Sequence, residues 1–405
     1  MNIAIIGGGA AGFFAAISCK QRHPKAQVTI YEKSNKLLAK VKVSGGGRCN
    51  VTNACFNNSL FSKHYPRGEK QLKKAFQQFD SRSTVNWFES KSVTLVAEPD
   101  GRMFPSTNDS QTIIDCLLKE VNRLQIRIFT NMAVTSFISK GTGFTLNLKN
   151  NDSIRCDKVI IASGGSPKIE GFEWIKAFGH EIIPPVPSLF TFNMPSEGIK
   201  SLMGVVADPV SIKVQSSRLS SQGPLLITHW GMSGPAVLKL SAWGARELAD
   251  KNYQFNIQVN WLGNINETQL REHLKDLLDE VKNRNIGNKN PFQLPNRLWE
   301  FLLQKTEINP DQKWFEVGKK NLNRLINNLL NDTYSVSGKT TFKEEFVTCG
   351  GVSLQEINFD TMESKKCPGL YFAGEVLDID GITGGFNFQA AWTTGYIAGK
   401  LGHGN

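Results

Sequence analysis

The stretch NIAIIGGGAAG, Asn2 to Gly12, decides the fold of this chain of 405 residues. Its first five residues are an apolar run that is typical of a buried strand, and the glycine cluster follows at once. The next residues, FFAAISCKQR, have the apolar pattern of a helix that packs on a sheet. A second apolar run, VTIY, then ends in Glu32. This order of strand, glycine turn, helix and strand predicts a dinucleotide-binding unit.

The glycines follow the G-x-G-x-x-G spacing, and each has its own physical role. Gly7 permits a tight turn, Gly9 lets the backbone approach a pyrophosphate, and Gly12 lets the helix pack closely on the sheet. The helix N-terminus then offers free N–H groups to the phosphates. Glu32 lies 20 residues after Gly12, where an acid can accept a hydrogen bond from a ribose 2′-hydroxyl. An acid at this position disfavours the 2′-phosphate of NADP.

Two distant segments favour FAD over NAD. The first, KVIIASGG (158–165), is a strand that ends in small residues. The second, GLYFAGEVLD (369–378), is a strand that ends in glycine and an acid, and GGFNFQ (384–389) then opens a final helix. In flavoproteins of the glutathione-reductase type, such segments close the sheet, bind the ribityl chain and direct the positive end of a helix at the flavin. An NAD dehydrogenase does not need them.

Another glycine cluster, VSGGGRCNVTN (43–53), is not a second dinucleotide cradle, because the residues after Gly47 are a poor helix start. We interpret it as a loop that folds over the same FAD. Its glycines allow close approach of the backbone, Lys42 and Arg48 supply positive charge, and Asn50 supplies polar contacts. With only Cys55 nearby, Cys49 is predicted to contact the cofactor rather than to act as a redox thiol.

These motifs resemble a known family along essentially the whole chain. KVSGGGRCNVTN, PDGRMFPST, THWGMSGPAVLKLS, FVTCGGVSL, TMESK and GLYFAGEVLDIDGITGGFNFQAAWTTGYIAG stand in this order, and together they are similar to the bacterial aminoacetone-oxidase-like family of NAD(P)/FAD-dependent oxidoreductases. The resemblance implies an α/β fold, with a discontinuous Rossmann-like FAD-binding domain and an inserted β-barrel and helical domain. It also implies that Glu375 and the backbone of Gly385 to Asn387 contact FAD, and that the backbone of Val134 binds adenine.

The predicted domain bounds follow from changes in the sequence pattern. Residues 1–187 and 341–405 form the FAD-binding domain, and residues 188–340 form the insert. Within the insert, 188–262 reads as strands, with QFNIQVNWL (254–262) alternating between apolar and polar side chains, and 263–340 carries leucines at helical spacing. The complete set of predicted cofactor contacts is Gly7, Gly9, Ala11, Gly12, Glu32, Lys33, Lys42, Gly47, Arg48, Cys49, Asn50, Val134, Ser163, Gly164, Gly374, Glu375, Asp378, Gly385, Phe386, Asn387 and Gln389.

Composition limits the partners. No window approaches about 20 uninterrupted apolar residues, so no membrane span is expected. The N-terminus lacks the pattern of a signal peptide, and a cytoplasmic location is expected. The seven cysteines and six histidines show no metal spacing, so no metal is predicted. The net charge is +11, and residues 33–74 hold ten Lys or Arg against one acid. We assign this charge to the cofactor or a small anion, with nucleic acid as the alternative.

The sequence predicts an enzyme in which bound flavin accepts and donates the electrons of the reaction. The candidate catalytic side chains are His229, in the turn-like THWGMSGP, and Cys349, at the end of a strand. The expected reaction moves a hydride from a small donor, an amine, an aminoketone or NAD(P)H, to the flavin, with oxygen or another acceptor completing the cycle. No second strand–glycine–helix unit is visible, so NAD(P)H is expected only as a transient reductant. The alternatives are an RNA-acting flavoprotein that uses residues 33–74, and a flavin-binding sensor. The oligomeric state stays open.

Overall fold

The computed structural model of the protein describes residues 1–140, 143–341 and 347–402. They form two compact units, of which one is Met1–Ser188 with Lys343–Asn405 and the other is Leu189–Phe342. The strands are β1 (Asn2–Ile6), β2 (Gln27–Tyr31), β3 (Thr52–Asn53), β4 (Leu95–Ala97), β5 (Arg102–Pro105), β6 (Arg127–Phe129), β7 (Val134–Lys140), β8 (Gly143–Leu148), β9 (Ser153–Cys156), β10 (Lys158–Ile161), β11 (Ile182–Ser188), β12 (Thr191–Asn193), β13 (Val206–Val214), β14 (Ser220–Ile227), β15 (Gly231–Ser233), β16 (Gln254–Asn260), β17 (Asp332–Ser337), β18 (Lys339–Thr340), β19 (Val347–Val352), β20 (Ile357–Asn358), β21 (Glu363–Ser364) and β22 (Leu370–Phe372).

The helices are α1 (Ala10–Arg22), α2 (Ala39–Gly47), α3 (Asn58–Ser62), α4 (Glu69–Ala75), α5 (Ser81–Glu89), α6 (Ser110–Arg123), α7 (Glu173–Lys176), α8 (Pro235–Trp243), α9 (Ala245–Asp250), α10 (Glu267–Val281), α11 (Asn296–Lys305), α12 (Lys319–Asn331) and α13 (Phe386–Gly399). Among the described residues, no helix has the length and apolar character that crossing a membrane requires.

The first unit is built on a seven-stranded sheet in the order β20-β21-β22-β10-β1-β2-β6. The five strands from β22 to β6 are parallel, and β20 and β21 pair antiparallel at one edge. The apolar runs of β1 and β10 are buried, as strands covered on both faces require. This arrangement brings the carboxyl ends of β1, β2, β10 and β22 to one edge of the sheet.

Helices α1 and α13 pack unusually closely, and two glycines of α13 make this possible. A Cβ built on Gly395 would lie 2.5 Å from the carbonyl oxygen of Ala11, and one on Gly399 would lie 2.5 Å from that of Ala15. Because no side chain fits between the helices, the last helix of the chain is fixed against the first. The position of α13 beside the first turns of α1 is therefore defined.

The second unit contains a sheet that closes on itself. Its strand order is β17-β16-β13-β14-β15-β12-β18, and the two end strands, β17 and β18, are successive parts of one segment that turns at Gly338. The sheet is therefore a small barrel. In β16, Ile257 and Val259 are buried, whereas Asn256 is exposed, which confirms the predicted alternation. Leucines of α10, α11 and α12 join the same apolar core.

Candidate functional site

The glycine turn after β1 has the geometry that the sequence predicts. Gly7 has a φ of +115°, and a Cβ built on it would lie 2.3 Å from the carbonyl oxygen of Ala162. A Cβ on Gly12 would lie 2.0 Å from the carbonyl oxygen of Gly7, so α1 packs directly on the turn. By contrast, a Cβ on Gly9 would meet no atom within 4 Å. Gly9 is also the N-cap of α1, and no side chain caps the helix.

Glu32 lies beside this turn, at the end of β2. Its Oε2 accepts a hydrogen bond of 2.7 Å from the Gly8 N–H, and its Oε1 accepts bonds of 2.9 Å from the N–H and hydroxyl of Ser34. Each carboxylate oxygen can accept two hydrogen bonds, so Oε2 keeps capacity for another donor. The position suits a ribose acceptor. The neighbouring Lys33 is exposed.

The glycine-rich stretch 43–53 begins as the last turn of α2 and then leaves the helix. Ser44 to Gly46 have non-helical backbone angles, and Gly46 and Gly47 have φ values of +69° and +85°. Cβ atoms built on these two glycines would meet nothing within 4 Å. This loop therefore presents bare backbone to open space, as a loop that covers a cofactor would. The sequence reading did not predict that a short helix precedes it.

Asn50 joins this loop to the start of α13. In the amide orientation that satisfies both of its polar atoms, Nδ2 donates to the carbonyl oxygen of Thr52 and Oδ1 accepts from the Gly385 N–H, each at 3.0 Å. The nearby Asn53 donates to the carbonyl oxygen of Gly384 at 3.1 Å. The structure thus brings the predicted loop and the predicted helix start together, although they are far apart in the sequence.

Both cysteines singled out by the sequence are fully buried. Burial raises the pKa of the Cys49 thiol to about 12, against a weaker lowering by a hydrogen bond with Ser44. A thiol with this pKa is almost entirely protonated at neutral pH and is a poor nucleophile. Cys349 lies in β19, paired with Val186 of β11. Its catalytic role remains a prediction.

Arg48 is held by side chains rather than left free for an anion. Its Nη1 donates to Glu98 at 2.6 Å, and its guanidinium lies 4.0 Å from the centre of the Phe104 ring. Arg102 shares Glu98 at 2.7 Å and also contacts Asp100. The two arginines therefore form one cluster with two acids, and part of their charge is neutralised.

The same neutralisation applies to half of the basic segment 33–74. Five of its ten cations pair with acids from elsewhere in the chain: Lys40 with Glu375, Lys42 with Asp109, Arg48 with Glu98, Arg67 with Asp380 and Lys74 with Asp360. The other five, Lys33, Lys36, Lys63, Lys70 and Lys73, are exposed. The local positive charge available to a polyanion is therefore smaller than the sequence count indicates.

The residues that follow the carboxyl ends of β10 and β22 lie at the same edge of the sheet as the glycine turn after β1. Ser163 is exposed, and Gly164, with a φ of +75°, has no atom within 4 Å of a built Cβ. Gly374 has a φ of +76°, and its built Cβ would lie 2.8 Å from the Cβ of Ala11 in the first turn of α1. Glu375 follows, and its carboxylate contacts Lys40 at 2.5 Å and the Thr348 N–H at 2.8 Å.

Residues at the start of α13 fix this end of the helix. Gly385 has a φ of +91°, and the ring of Phe386 stacks on His64 at a centroid distance of 4.3 Å. Asn387 donates to and accepts from the backbone of Gly381 at 2.9 and 2.8 Å. Gln389 is fully buried, and its amide bonds to the hydroxyls of Thr52, Thr84 and Thr393. Gln389 thus anchors the helix, and its contact with a cofactor remains a prediction.

The sequence reading missed a buried ion pair beneath this helix start. Arg67 bonds both carboxylate oxygens of Asp380, one of them at 2.5 Å, and Ser188 donates to Asp380 at 2.7 Å. Burial would lower the pKa of the Arg67 guanidinium, but the Asp380 carboxylate raises it above its ordinary value. Asp378 adds to this effect. Arg67 and Asp380 stand 313 positions apart, and no local pattern in the sequence marks them as partners.

Two further predicted residues belong to, or connect, strands of other sheets. Val134 begins β7 in a separate three-stranded sheet, opposite Leu148 of β8. His229 belongs to the second unit, in the turn between β14 and β15, where it is exposed and its ring lies 4.2 Å from that of Trp230. Their roles remain predictions.

The residues at the edge of the sheet fit a dinucleotide. Four glycines, Gly9, Gly46, Gly47 and Gly164, present backbone with no atom within 4 Å of a built Cβ. The uncapped N-terminus of α1 can bind phosphate, because its first N–H groups have no partner within the helix. Glu32 and Glu375 can each accept hydrogen bonds from hydroxyl groups. These are the features that FAD requires.

A model of the family described as HI0933-like protein Rossmann domain matches residues 1–401. The chain belongs to this family. Two curated relatives match along nearly their whole length. The ribosomal RNA dihydrouridine synthase of Escherichia coli is 32% identical over 98% of this chain and 96% of its own. The 3-dehydro-bile acid delta(4,6)-reductase of Clostridium scindens is 28% identical over 98% of both chains.

Solved structures show the fold of this chain. The 3-ketosteroid delta1-dehydrogenase of Sterolibacterium denitrificans covers 98% of both chains, with a TM-score of 0.51 and 14% identity. The 3-ketosteroid-delta4-(5alpha)-dehydrogenase of Rhodococcus jostii covers 98% of this chain and 96% of its own, with a TM-score of 0.50 and 11% identity. The predicted fold class, a Rossmann-type FAD-binding α/β domain with an inserted sheet domain, is confirmed.

Proposed function

We propose that this protein is an FAD-dependent reductase that saturates a carbon–carbon double bond conjugated with a carbonyl group, and that its substrate is a uridine of ribosomal RNA. The observation that carries the FAD part is the open backbone of Gly9, Gly46, Gly47 and Gly164 around the uncapped start of α1. When bound, FAD would supply the hydride chemistry. We assign its pyrophosphate to the first turn of α1 and its ribose to Glu32.

The reaction class rests on the chemistry that the two relatives' names share. A dihydrouridine synthase, by its name, saturates the ring double bond of uridine, which is conjugated with a carbonyl. A 3-dehydro-bile acid delta(4,6)-reductase, by its name, acts on a steroid oxidised at carbon 3. In both cases the carbonyl makes the double bond electron-poor. One reaction class, the addition of a hydride to one carbon and a proton to the other, therefore accounts for both names.

RNA is the preferred substrate for two reasons. The relative named for ribosomal RNA has the higher identity of the two, 32% against 28%. The chain also carries a net charge of +11, and the exposed cations Lys63, Lys70 and Lys73 lie on or beside the short helices α3 and α4. Positive charge of this kind attracts a phosphate backbone. A small conjugated ketone is the second candidate, supported by the relative from Clostridium scindens.

The reaction needs a proton donor and a source of electrons. His229 is our candidate donor because an imidazole can act as a general acid and this side chain is exposed. NAD(P)H is the proposed electron source, acting without a binding domain of its own. Oxidation of an aminoketone, which the sequence resemblance implies, is the competing activity, and it requires the opposite direction of electron flow.

The test compares three substrates with one preparation. The purified flavin-loaded protein is incubated anaerobically with NADH or NADPH and with ribosomal RNA transcribed in vitro, and the nucleosides are analysed by mass spectrometry. We expect dihydrouridine, which is heavier than uridine by the mass of two hydrogen atoms. Parallel reactions contain a 4-en-3-one steroid, or aminoacetone without NAD(P)H. Reduction of the steroid alone would favour the second candidate, and bleaching of the flavin by aminoacetone would overturn the reductase proposal.

A further inference from the structure

Glu375 is held from two sides by residues that the sequence reading left out. Its Oε2 lies 2.5 Å from the Nζ of Lys40 on α2, and its Oε1 accepts a bond of 2.8 Å from the N–H of Thr348 on β19. Lys40 stands 335 positions away from Glu375. Both groups donate hydrogen bonds to the Glu375 carboxylate, so together they fix its orientation.

This group lies at the predicted cofactor site. A Cβ built on Gly165 would lie 2.4 Å from the Thr348 hydroxyl oxygen and 2.8 Å from Oε1 of Glu375, so these three residues are in direct contact. The preceding Gly164 faces open space, and Gly374 packs on Ala11 at the start of α1. Lys40, Glu375 and Thr348 therefore meet where the sheet edge and the first helix turn come together.

The Thr348 hydroxyl is incompletely satisfied. Thr348 is fully buried, and its Oγ1 has no hydrogen-bond partner among the described residues. Buried polar atoms nearly always have a partner, and an exception requires an explanation. A cofactor that adds hydroxyl groups beside Glu375 would rearrange this cluster and supply the missing partner.

We propose that Lys40 and Thr348 are positioning residues that hold Glu375 ready to accept hydrogen bonds from the hydroxyl groups of the cofactor's polyol chain. This inference rests on the proposed FAD binding. Lys40 and the Thr348 N–H each hold one oxygen of the carboxylate, which fixes its direction. The Thr348 hydroxyl gains a hydrogen-bond partner when the cofactor binds.

The competing explanation is an ordinary surface ion pair. The side chains of Lys40 and Glu375 are 46% and 20% exposed. A pair this exposed contributes little to folding, so replacing Lys40 by methionine should leave the unfolding temperature almost unchanged. A matched control is Lys74→Met, because Lys74 also forms a partly exposed pair, with Asp360 at 2.7 Å.

The experiment titrates the flavin-free protein with FAD and follows flavin fluorescence. Lys40→Met should weaken FAD binding about tenfold, the typical loss for a hydrogen bond to a charged group. Lys74→Met should bind as the wild type does. Glu375→Gln should weaken binding, and the double variant Lys40→Met/Glu375→Gln should be no weaker than Glu375→Gln alone. Additive losses would overturn the proposal, because they would mean that Lys40 acts independently of Glu375.

Thr348→Val separates a role in cofactor binding from a role in folding, because it should change FAD affinity and thermal stability in different ways. Valine has a similar shape and keeps the N–H, but it removes the unpartnered hydroxyl. The flavin-free variant should unfold at the same or a higher temperature than the wild type, whereas its affinity for FAD should fall. Unchanged FAD affinity in Thr348→Val or in Lys40→Met would overturn the role of that residue. If the wild type itself does not bind FAD, the proposed function fails, which is a separate result.

Discussion

Replacing Gly9 by alanine should separate cofactor binding from folding. Gly9 has φ −94° and ψ −172°, an extended conformation that alanine adopts readily, and its built Cβ meets no atom within 4 Å. Replacing the N-cap glycine lowers the free energy of unfolding by about 0.5–1 kcal/mol. The reduced entropy of the unfolded chain raises it by about 0.4–1 kcal/mol. The two terms nearly cancel, so the free energy of unfolding should change by less than about 1 kcal/mol.

The same methyl group should damage FAD binding, because it would stand where the backbone approaches the pyrophosphate. Overpacking of a tight contact costs about 1–3 kcal/mol, which corresponds to about 5- to 150-fold in the dissociation constant. The assay pairs urea unfolding of the flavin-free protein with a fluorescence titration of FAD. We therefore expect the Gly9→Ala protein to be normally folded and deficient in flavin.

Gly12→Ala is the matched control with the opposite result. Its Cβ would lie 2.0 Å from the carbonyl oxygen of Gly7, so the helix or the turn must move. We expect a loss of about 3 kcal/mol or more in the free energy of unfolding. The reasoning is refuted if Gly9→Ala binds FAD as tightly as the wild type. It is also refuted if Gly9→Ala and Gly12→Ala destabilise the protein equally.

Three further predictions concern the ion pair, the cysteines and the histidine. Arg67→Met leaves the buried Asp380 carboxylate without its cation, so the free energy of unfolding measured in urea should fall by about 3–5 kcal/mol, and a loss below about 1 kcal/mol would contradict the pair's importance. Because the pKa of Cys49 is about 12, iodoacetamide at pH 8 should label the half-buried Cys55 and spare Cys49 in the folded protein, as mass spectrometry would show. Prompt labelling of Cys49 would contradict its burial. His229→Gln should retain flavin but lose about 10²- to 10⁴-fold in turnover, the usual range for a general acid, and wild-type turnover would remove His229 from the mechanism.

The parts of the fold set by local sequence could be predicted well. The strand at Asn2–Ile6 has the expected bounds, and α13 begins at Phe386, directly after the predicted glycines. These elements are determined by neighbouring residues: an apolar run makes a buried strand, and glycines allow a turn that other residues cannot adopt. The dinucleotide unit is local in this sense, and so was readable without any structure.

The contacts that complete the site are not local, and the sequence could not supply them. Lys40 pairs with Glu375, and Arg67 pairs with Asp380, each across more than 300 positions. Such pairs depend on which strand ends meet at one edge of the sheet. The spacing of residues along the sequence does not show which distant segments meet there. For the same reason, the sequence does not show that half of the cations in residues 33–74 pair with acids in other segments.

A single-turnover experiment tests the central claim most directly. The flavin-loaded protein is reduced anaerobically, freed of excess NAD(P)H, and mixed with unmodified ribosomal RNA while the visible absorbance of oxidised flavin is recorded. We predict that the absorbance returns and that dihydrouridine appears in an amount equal to the flavin reoxidised. If the flavin stays reduced in the presence of the RNA, and is reoxidised only by oxygen, the protein is not a ribosomal RNA reductase.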